Sequence, residues 1–148
     1  MIALLQRVKD ANVKVNSQVV GEIESGLLIF LAIEKNDSEG LADKLLTRLL
    51  AYRVFADEFG KMNLSLTDCG DGLLIVSQFT LAADTQKGSR PGFSPAADPE
   101  KAKQLYHYFI ERAEKRHAIV ASGRFGADMQ VRFTNDGPVT FWLQVKDK

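Results

Sequence analysis

Apolar residues recur at every second position through most of this chain, and at helical spacing in only two stretches. Ile2 to Lys9 and Val13 to Val15 read as strands, and Val19 to Ile23 follows. Gly26 then opens the unbroken run Leu27-Leu28-Ile29-Phe30-Leu31-Ala32-Ile33. A run without polar alternation suits a strand covered on both faces. Leu41, Leu45, Leu49 and Tyr52, widened by Leu46 and Leu50, form the stripe of an amphipathic helix, with Asp37 or Ser38 as its cap. Arg53 to Ala56 reads as a short strand before the turn Asp57-Glu58-Phe59-Gly60. Leu73 to Thr80 is a strongly apolar strand that turns polar at its end. A second helix starts at Pro99 behind the cap Asp98, with Ala102, Leu105, Tyr106, Phe109 and Ala113 as its apolar face. Strand signals return at Ala118 to Ala121 and run from Met129 to the end. Strands, helix, strand, helix, strands describe an α+β protein with mostly antiparallel pairing.

Asn135-Asp136-Gly137-Pro138-Val139-Thr140 interrupts the last strand signal. Met129, Val131 and Phe133 alternate before it, and Val139, Phe141, Leu143 and Val145 alternate after it. Asp136-Gly137 alone would serve a hairpin. Pro138 brings a fixed φ and no N–H for a ladder. On the local residues alone the default is a rigid turn with a trans bond, although X-Pro bonds are the ones that adopt cis readily. Residues 84 to 99 form a loop with Pro91, Pro95, Pro99, Gly88 and Gly92. Its Lys87 and Arg90 are either a local basic contact or part of a solvated surface. Arg7, inside an apolar strand, either faces outward on an edge or reaches a polar site. His107 falls off its helix stripe and reads as a surface residue, while His117 complements the helix's negative end. Neither reads as a catalytic base.

Composition narrows the function classes. The chain has 148 residues, 45% hydrophobic and 26% charged, which fits a single domain spanning 1–148. A lone cysteine, Cys69, excludes an internal disulfide and argues for a reducing compartment. One Cys and two His supply no usual zinc set, so no metal and no cofactor is expected. The start lacks a signal-peptide pattern and the longest apolar run is too short for a bilayer, so a cytoplasmic, non-membrane protein is the expectation. A net charge of zero provides no broad footprint for nucleic acid; DNA is not expected, and any RNA contact would be local or directed at an RNA end.

Ser77-Gln78-Phe79-Thr80-Leu81 together with Asn135 to Thr140 makes the chain recognisable. It closely resembles the bacterial D-aminoacyl-tRNA deacylase family along essentially its whole length. The likeness includes Met1-Ile2-Ala3 to Arg7-Val8, Gly60-Lys61-Met62-Asn63, Ser77 to Asp84, Arg90-Pro91, Gly123-Arg124-Phe125, Ala127 to Val131 and Asn135 to Val145. The resemblance implies a homodimer of a compact, β-barrel-like antiparallel fold flanked by helices. It implies removal of D-amino acids, and of glycine, from mischarged tRNA, with contact to the acceptor end. It further implies that the Gly137-Pro138 peptide is cis and enters the partner subunit's pocket as a chiral selector, held in part by Arg7. Phe125 and Met129 would line or support the pocket; ordinary core packing is the alternative.

If Val76 to Thr80 is extended, Gln78 and Thr80 point to one face and Ser77 and Phe79 to the other. Backbone amides around Phe79 and Thr80 are placed to donate to an ester carbonyl. Thr80 is the obvious nucleophile candidate, but no His lies near either motif to activate it. A positioning role for Thr80, with water attack assisted by the 2′-hydroxyl of the terminal adenosine, therefore ranks first. Ser77 and Gln78 could bond each other, the pocket or the adenosine, and the sequence does not choose. Gly137 lets its carbonyl approach a substrate's α-carbon closely, so that L-side chains would be rejected by clash. The competing readings are a non-catalytic binding module and a structural dimer module with an ordinary trans turn.

Overall fold

A computed structural model describes residues 1–148. Strand β1 (Ile2–Val15) is one continuous strand, not the two separate strands that the polar residues between Lys9 and Val13 suggest. It organises everything else. Its first half pairs antiparallel with β3 (Gly26–Ala32), and its second half with β2 (Gln18–Ile23). Its other edge pairs along nearly its full length with β8 (Gln130–Gln144).

The expected antiparallel pairing holds around β1, but the far side of the sheet is parallel. β3 pairs parallel with β6 (Gly72–Ser77), and β6 with β7 (Val120–Ser122). The chain between β3 and β6 contains α1 (Glu39–Ala51), a small hairpin of β4 (Arg53–Ala56) and β5 (Met62–Ser65), and one turn of helix, α2 (Leu66–Cys69). That excursion is what allows β6 to return in the same direction as β3. The backbone oxygen of Ser122 on β7 lies 2.5 Å from where a Cβ on Gly21 of β2 would stand, so the two ends of the sheet nearly meet. The result is a nearly closed mixed barrel with three helices.

Alternation assigns the residues of β3 and β6 to two cores. Leu28, Leu74 and Val76 face the barrel interior with Val8, Ala11, Val13 and Ile23. Leu27, Ile29, Leu31, Leu73 and Ile75 face outward under α1 and α3 (Pro99–Arg116). This is why the run from Leu27 carries no polar residue. Ser38 caps α1 through its side chain, as Asp98 caps α3. Asp37, the other candidate cap, is buried and accepts instead from the backbone N–H of Glu34 and from the Met1 ammonium. The Arg112 guanidinium of α3 hydrogen-bonds Asp43 of α1 and holds that carboxyl below the usual aspartate range, with Tyr108 donating to the same group.

Gly26 and Gly72 face each other where β3 and β6 begin. A Cβ on Gly26 would stand 1.9 Å from the backbone oxygen of Gly72. Gly26→Ala should therefore lower unfolding stability by about 3 kcal/mol or more in urea titration, as severe overpacking does. Gly60→Ala, where a Cβ meets nothing within 4 Å, should cost only about 1–2 kcal/mol for its left-handed backbone. Equal losses in the two variants would contradict the packing account.

Candidate active site

At the end of β6 the chain leaves the sheet earlier than its pattern suggests. The strand stops at Ser77, and Phe79–Ala82 form a short 3-10 turn. Ser77 to Thr80 therefore do not alternate between two faces. The N–H of Leu81 bonds Gln78 O and that of Ala83 bonds Thr80 O, while the Gln78 N–H bonds Leu31 O. Phe79 and Thr80 sit at the first positions of the turn, whose amides have no partner within it, and Gln78 supplies no side-chain cap. The Gln78 side-chain amide instead donates to the Thr80 hydroxyl oxygen, a partner the sequence reading did not include.

A cavity of about 480 Å³ opens beside this turn. Val76, Ser77, Gln78 and Phe79 form one wall, and Phe125, Gly126, Ala127 and Met129 the opposite one. Pro99 and Ala102, from the start of α3, also line it. No side chain in its lining is ionisable. Phe79 is 58% exposed and stacks at a tilt on Phe93, with ring centroids 5.1 Å apart, which ties the 84–99 loop to the cavity rim. Lys87 and Arg90 of that loop are exposed and enter none of the ion pairs.

The Gly137-Pro138 segment is neither a hairpin nor an ordinary turn. β8 runs through it, and the segment is looped out of the β1–β8 ladder. Between the pairs Gln6–Thr140 and Val8–Asn135, two steps along β1 match five along β8. The Gly137-Pro138 bond is cis, as the resemblance implies and against the trans default of the local residues. Side chains close the neck of the loop. Asn135 accepts from the Val139 N–H at 3.0 Å and donates to the Thr140 hydroxyl oxygen at 2.9 Å, where Gln6 also donates. Arg7 is not a free edge residue. Its Nε donates to Asp136 O at 3.1 Å and its Nη1 to Val54 O at 2.7 Å, which anchors the loop to β4. Gly137 and Pro138 at the tip are exposed.

The two motifs lie apart within the chain. Arg7, beside the loop, is level with Leu27 on β3 and so with Leu73 on β6. The cavity begins at Val76. The cavity also reaches β8 at Val131, six residues before Gly137 on the same strand, so extended chain sets the loop tip on the order of 20 Å from that wall. Arg7, Gly137 and Pro138 are absent from the cavity lining, whereas Ser77, Gln78, Phe79, Phe125 and Met129 are in it. Thr80 is exposed just outside.

Tyr106 carries no functional signal in the sequence, where it reads as one more apolar position of its helix. Its hydroxyl is buried between Ile75 O at 2.9 Å and Gly123 O at 3.1 Å. Burial pushes that hydroxyl far above the ordinary tyrosine range, so it remains a neutral donor. Tyrosine among Leu, Phe and Ala on a buried stripe is the signal that could have found it, because a buried phenol needs a partner.

The chain thus combines a nearly closed barrel, a pocket lined by uncharged residues and a separate exposed loop. Residues 4–144 match the family model described as D-Tyr-tRNA(Tyr) deacylase. The chain belongs to that family. It is 59% identical over 146 residues to the D-aminoacyl-tRNA deacylase of Janthinobacterium sp. (strain Marseille), covering 99% of this chain and 98% of that one. It is 61% identical to that of Pseudomonas putida (strain ATCC 700007), covering 98% and 100%. Among solved structures it is similar to a c-Myc DNA Unwinding Element Binding Protein, with TM-score 0.95 and 37% identity over 99% of this chain and 100% of that one. A probable eukaryotic D-amino acid tRNA deacylase shares the fold at TM-score 0.86 and 19% identity, covering 97% and 98%.

The neck of the loop yields a test. Asn135→Asp keeps an acceptor for the Val139 N–H, whereas Asn135→Ala leaves that amide without its partner. The alanine variant should show faster amide exchange at Val139 by about fivefold, and the aspartate variant much less. Equal exchange in wild type and Asn135→Ala would show that the side chain does not close the neck.

Proposed function

We propose that this protein hydrolyses the ester of D-aminoacyl-tRNA, and of glycine misplaced on tRNA, as a homodimer in which each pocket is completed by the partner's Gly137-Pro138 loop. The observation that carries this reading is the separation of the two motifs: an open cavity without a selector, and an exposed loop without a cavity, on one chain of this family. A partner subunit is the economical way to bring them together, since a two-fold axis supplies each cavity with the other chain's loop.

The chemistry follows from what lines the cavity. With no ionisable side chain there, nothing in it activates Thr80 as a nucleophile. The Gln78 donation to its oxygen leaves the Thr80 hydroxyl hydrogen free to orient substrate or water. Water attacks the ester carbonyl carbon, and the growing negative charge on the carbonyl oxygen is taken by the Phe79 and Thr80 amides. Preorganised donors of this kind contribute about 3–4 kcal/mol. The C–O bond to the ribose 3′-oxygen then breaks. The proton lost by water passes through the neighbouring 2′-hydroxyl to that oxygen, leaving a free amino acid and a tRNA with both hydroxyls intact. Only the acceptor end needs to be read, which fits a chain of zero net charge.

Selection works by exclusion. The Gly137 carbonyl would accept the substrate α-ammonium at close range and leave no room for an L-side chain, while a D-side chain points away unread. Gly137 has φ +133, and a Cβ there would stand 2.8 Å from Val139 Cγ2 and 3.1 Å from Arg7 Nη2. Gly137→Ala therefore displaces the loop tip against Val139 and Arg7.

Wild type should deacylate D-Tyr-tRNA and spare L-Tyr-tRNA under the same conditions. Gly137→Ala should lose about a hundredfold or more in kcat/KM on the D-ester, the scale of removing one transition-state contact, with an unchanged circular dichroism spectrum. Loss of both esters at equal rates in wild type would indicate a non-selective esterase. No hydrolysis of either would favour the binding-module reading. Separately, Thr80→Val should keep kcat within about tenfold of wild type, as expected of a positioning residue. A covalent acyl-Thr80 species in acid-quenched reactions would contradict the water-attack mechanism.

A further inference from the structure

The two walls of the cavity originate at one fork. β6 and β7 pair in parallel through Leu73–Val120, Leu74–Ala121 and Ile75–Ser122. The last rung is the Gly123 N–H on Ile75 O at 2.9 Å. Beyond it the chains diverge, one into Ser77 to Phe79 and the other into Phe125 to Met129, and the cavity lies between them. The Tyr106 hydroxyl sits at that divergence, sharing its one hydrogen between Ile75 O and Gly123 O. Its ring also packs against Phe125, with centroids 5.7 Å apart. On the other side of the fork, Met129 Sδ lies 2.8 Å from where a Cβ on Gly123 would stand. Gly123 is thus held between a hydroxyl from α3 and a side chain of the cavity wall.

We infer that Tyr106 is a positioning residue of the active site: its hydroxyl pins the fork at Ile75 and Gly123 and so sets the width of the cavity that receives the acceptor end. This rests on the deacylase reading only for the identity of the ligand; the pinning itself is a property of the chain. The hydroxyl touches no substrate. It acts through the 123–127 segment and the end of β6. Without it, the Gly123 carbonyl loses its phenol partner, and the wall carrying Phe125 keeps the Gly123 N–H bond to Ile75 O and its side-chain packing.

Tyr106→Phe preserves the ring, its burial and its packing, and removes one oxygen. Tyr108→Phe makes the same chemical change two residues away, where the hydroxyl bonds Asp43 and faces α1 rather than the cavity. Two readouts are needed. In native-state hydrogen exchange, Tyr106→Phe should accelerate amides 123–127 by about five- to tenfold while leaving α1 unchanged. In steady-state hydrolysis of D-Tyr-tRNA, it should raise KM by about five- to tenfold with kcat within about twofold. Tyr108→Phe should do neither. Unchanged protection at 123–127 would overturn the inference, as would faster exchange there with KM equal to wild type. A merely structural role would accelerate exchange across the whole chain and leave KM alone. If wild type shows no hydrolysis, the deacylase reading fails by itself, and the exchange arm still decides whether Tyr106 pins the cavity wall.

Discussion

The ladder between β1 and β8 is the constraint on which the molecule depends. One fourteen-residue strand serves β3 and β2 on one edge and β8 on the other. Because β8 is tied to β1 on both sides of Asn135 to Val139, the extra residues in between have nowhere to go but outward. The loop is therefore held at both ends by sheet, at its neck by Asn135, and from beneath by Arg7. A segment so fixed is suited to present backbone, rather than a mobile side chain, to a ligand. The proposed rejection of one stereoisomer by clash requires that rigidity, since a yielding loop would admit both.

The cavity is shaped by a different part of the same sheet. The parallel strands β6 and β7 end where the chain turns away on both sides, the usual place for a ligand between diverging strands. At the end of β6 the Phe79 and Thr80 amides begin a 3-10 turn without a side-chain cap, and apolar side chains dominate the walls. A site of this composition supplies shape and hydrogen-bond donors and no acid or base. It suits an activated ester whose own neighbouring hydroxyl can move the proton.

Much of the scaffold was legible from residue patterns. The doubly covered strand from Leu27, the stripes and caps of α1 and α3, and the alternation on each side of Asn135 follow from burial of one face per period. What was not legible depended on pairing partners distant in sequence. The parallel register of β6 on β3 leaves no local mark, because both strands are apolar on both faces. The loop at Gly137 looks like a hairpin until its flanks are known to share one partner strand. Phe79 to Ala82 are apolar enough to continue a strand, and only the backbone shows that they turn. The pocket motif was recognisable through family resemblance, whereas its geometry was not. Tyr106 was hidden because its ring obeys the apolar pattern and only its hydroxyl departs from it. Arg7 had a different fate: a charge in an apolar strand left an outward edge and a polar site both open, and the structure supplies the backbone of Asp136 and Val54 as partners.

The central claim is that cavity and selector act together only across two chains, and mixed dimers test it most directly. One subunit would carry Ala127→Trp, which fills the cavity, and the other Gly137→Ala, which spoils the loop. Each variant alone should fail to deacylate D-Tyr-tRNA. Co-expressed and purified through two different tags, the mixed dimer should recover about half of the wild-type rate, because one of its two symmetry-related sites then joins an intact cavity to an intact loop. A mixed dimer as inactive as its parents would contradict the account and place cavity and selector within a single chain.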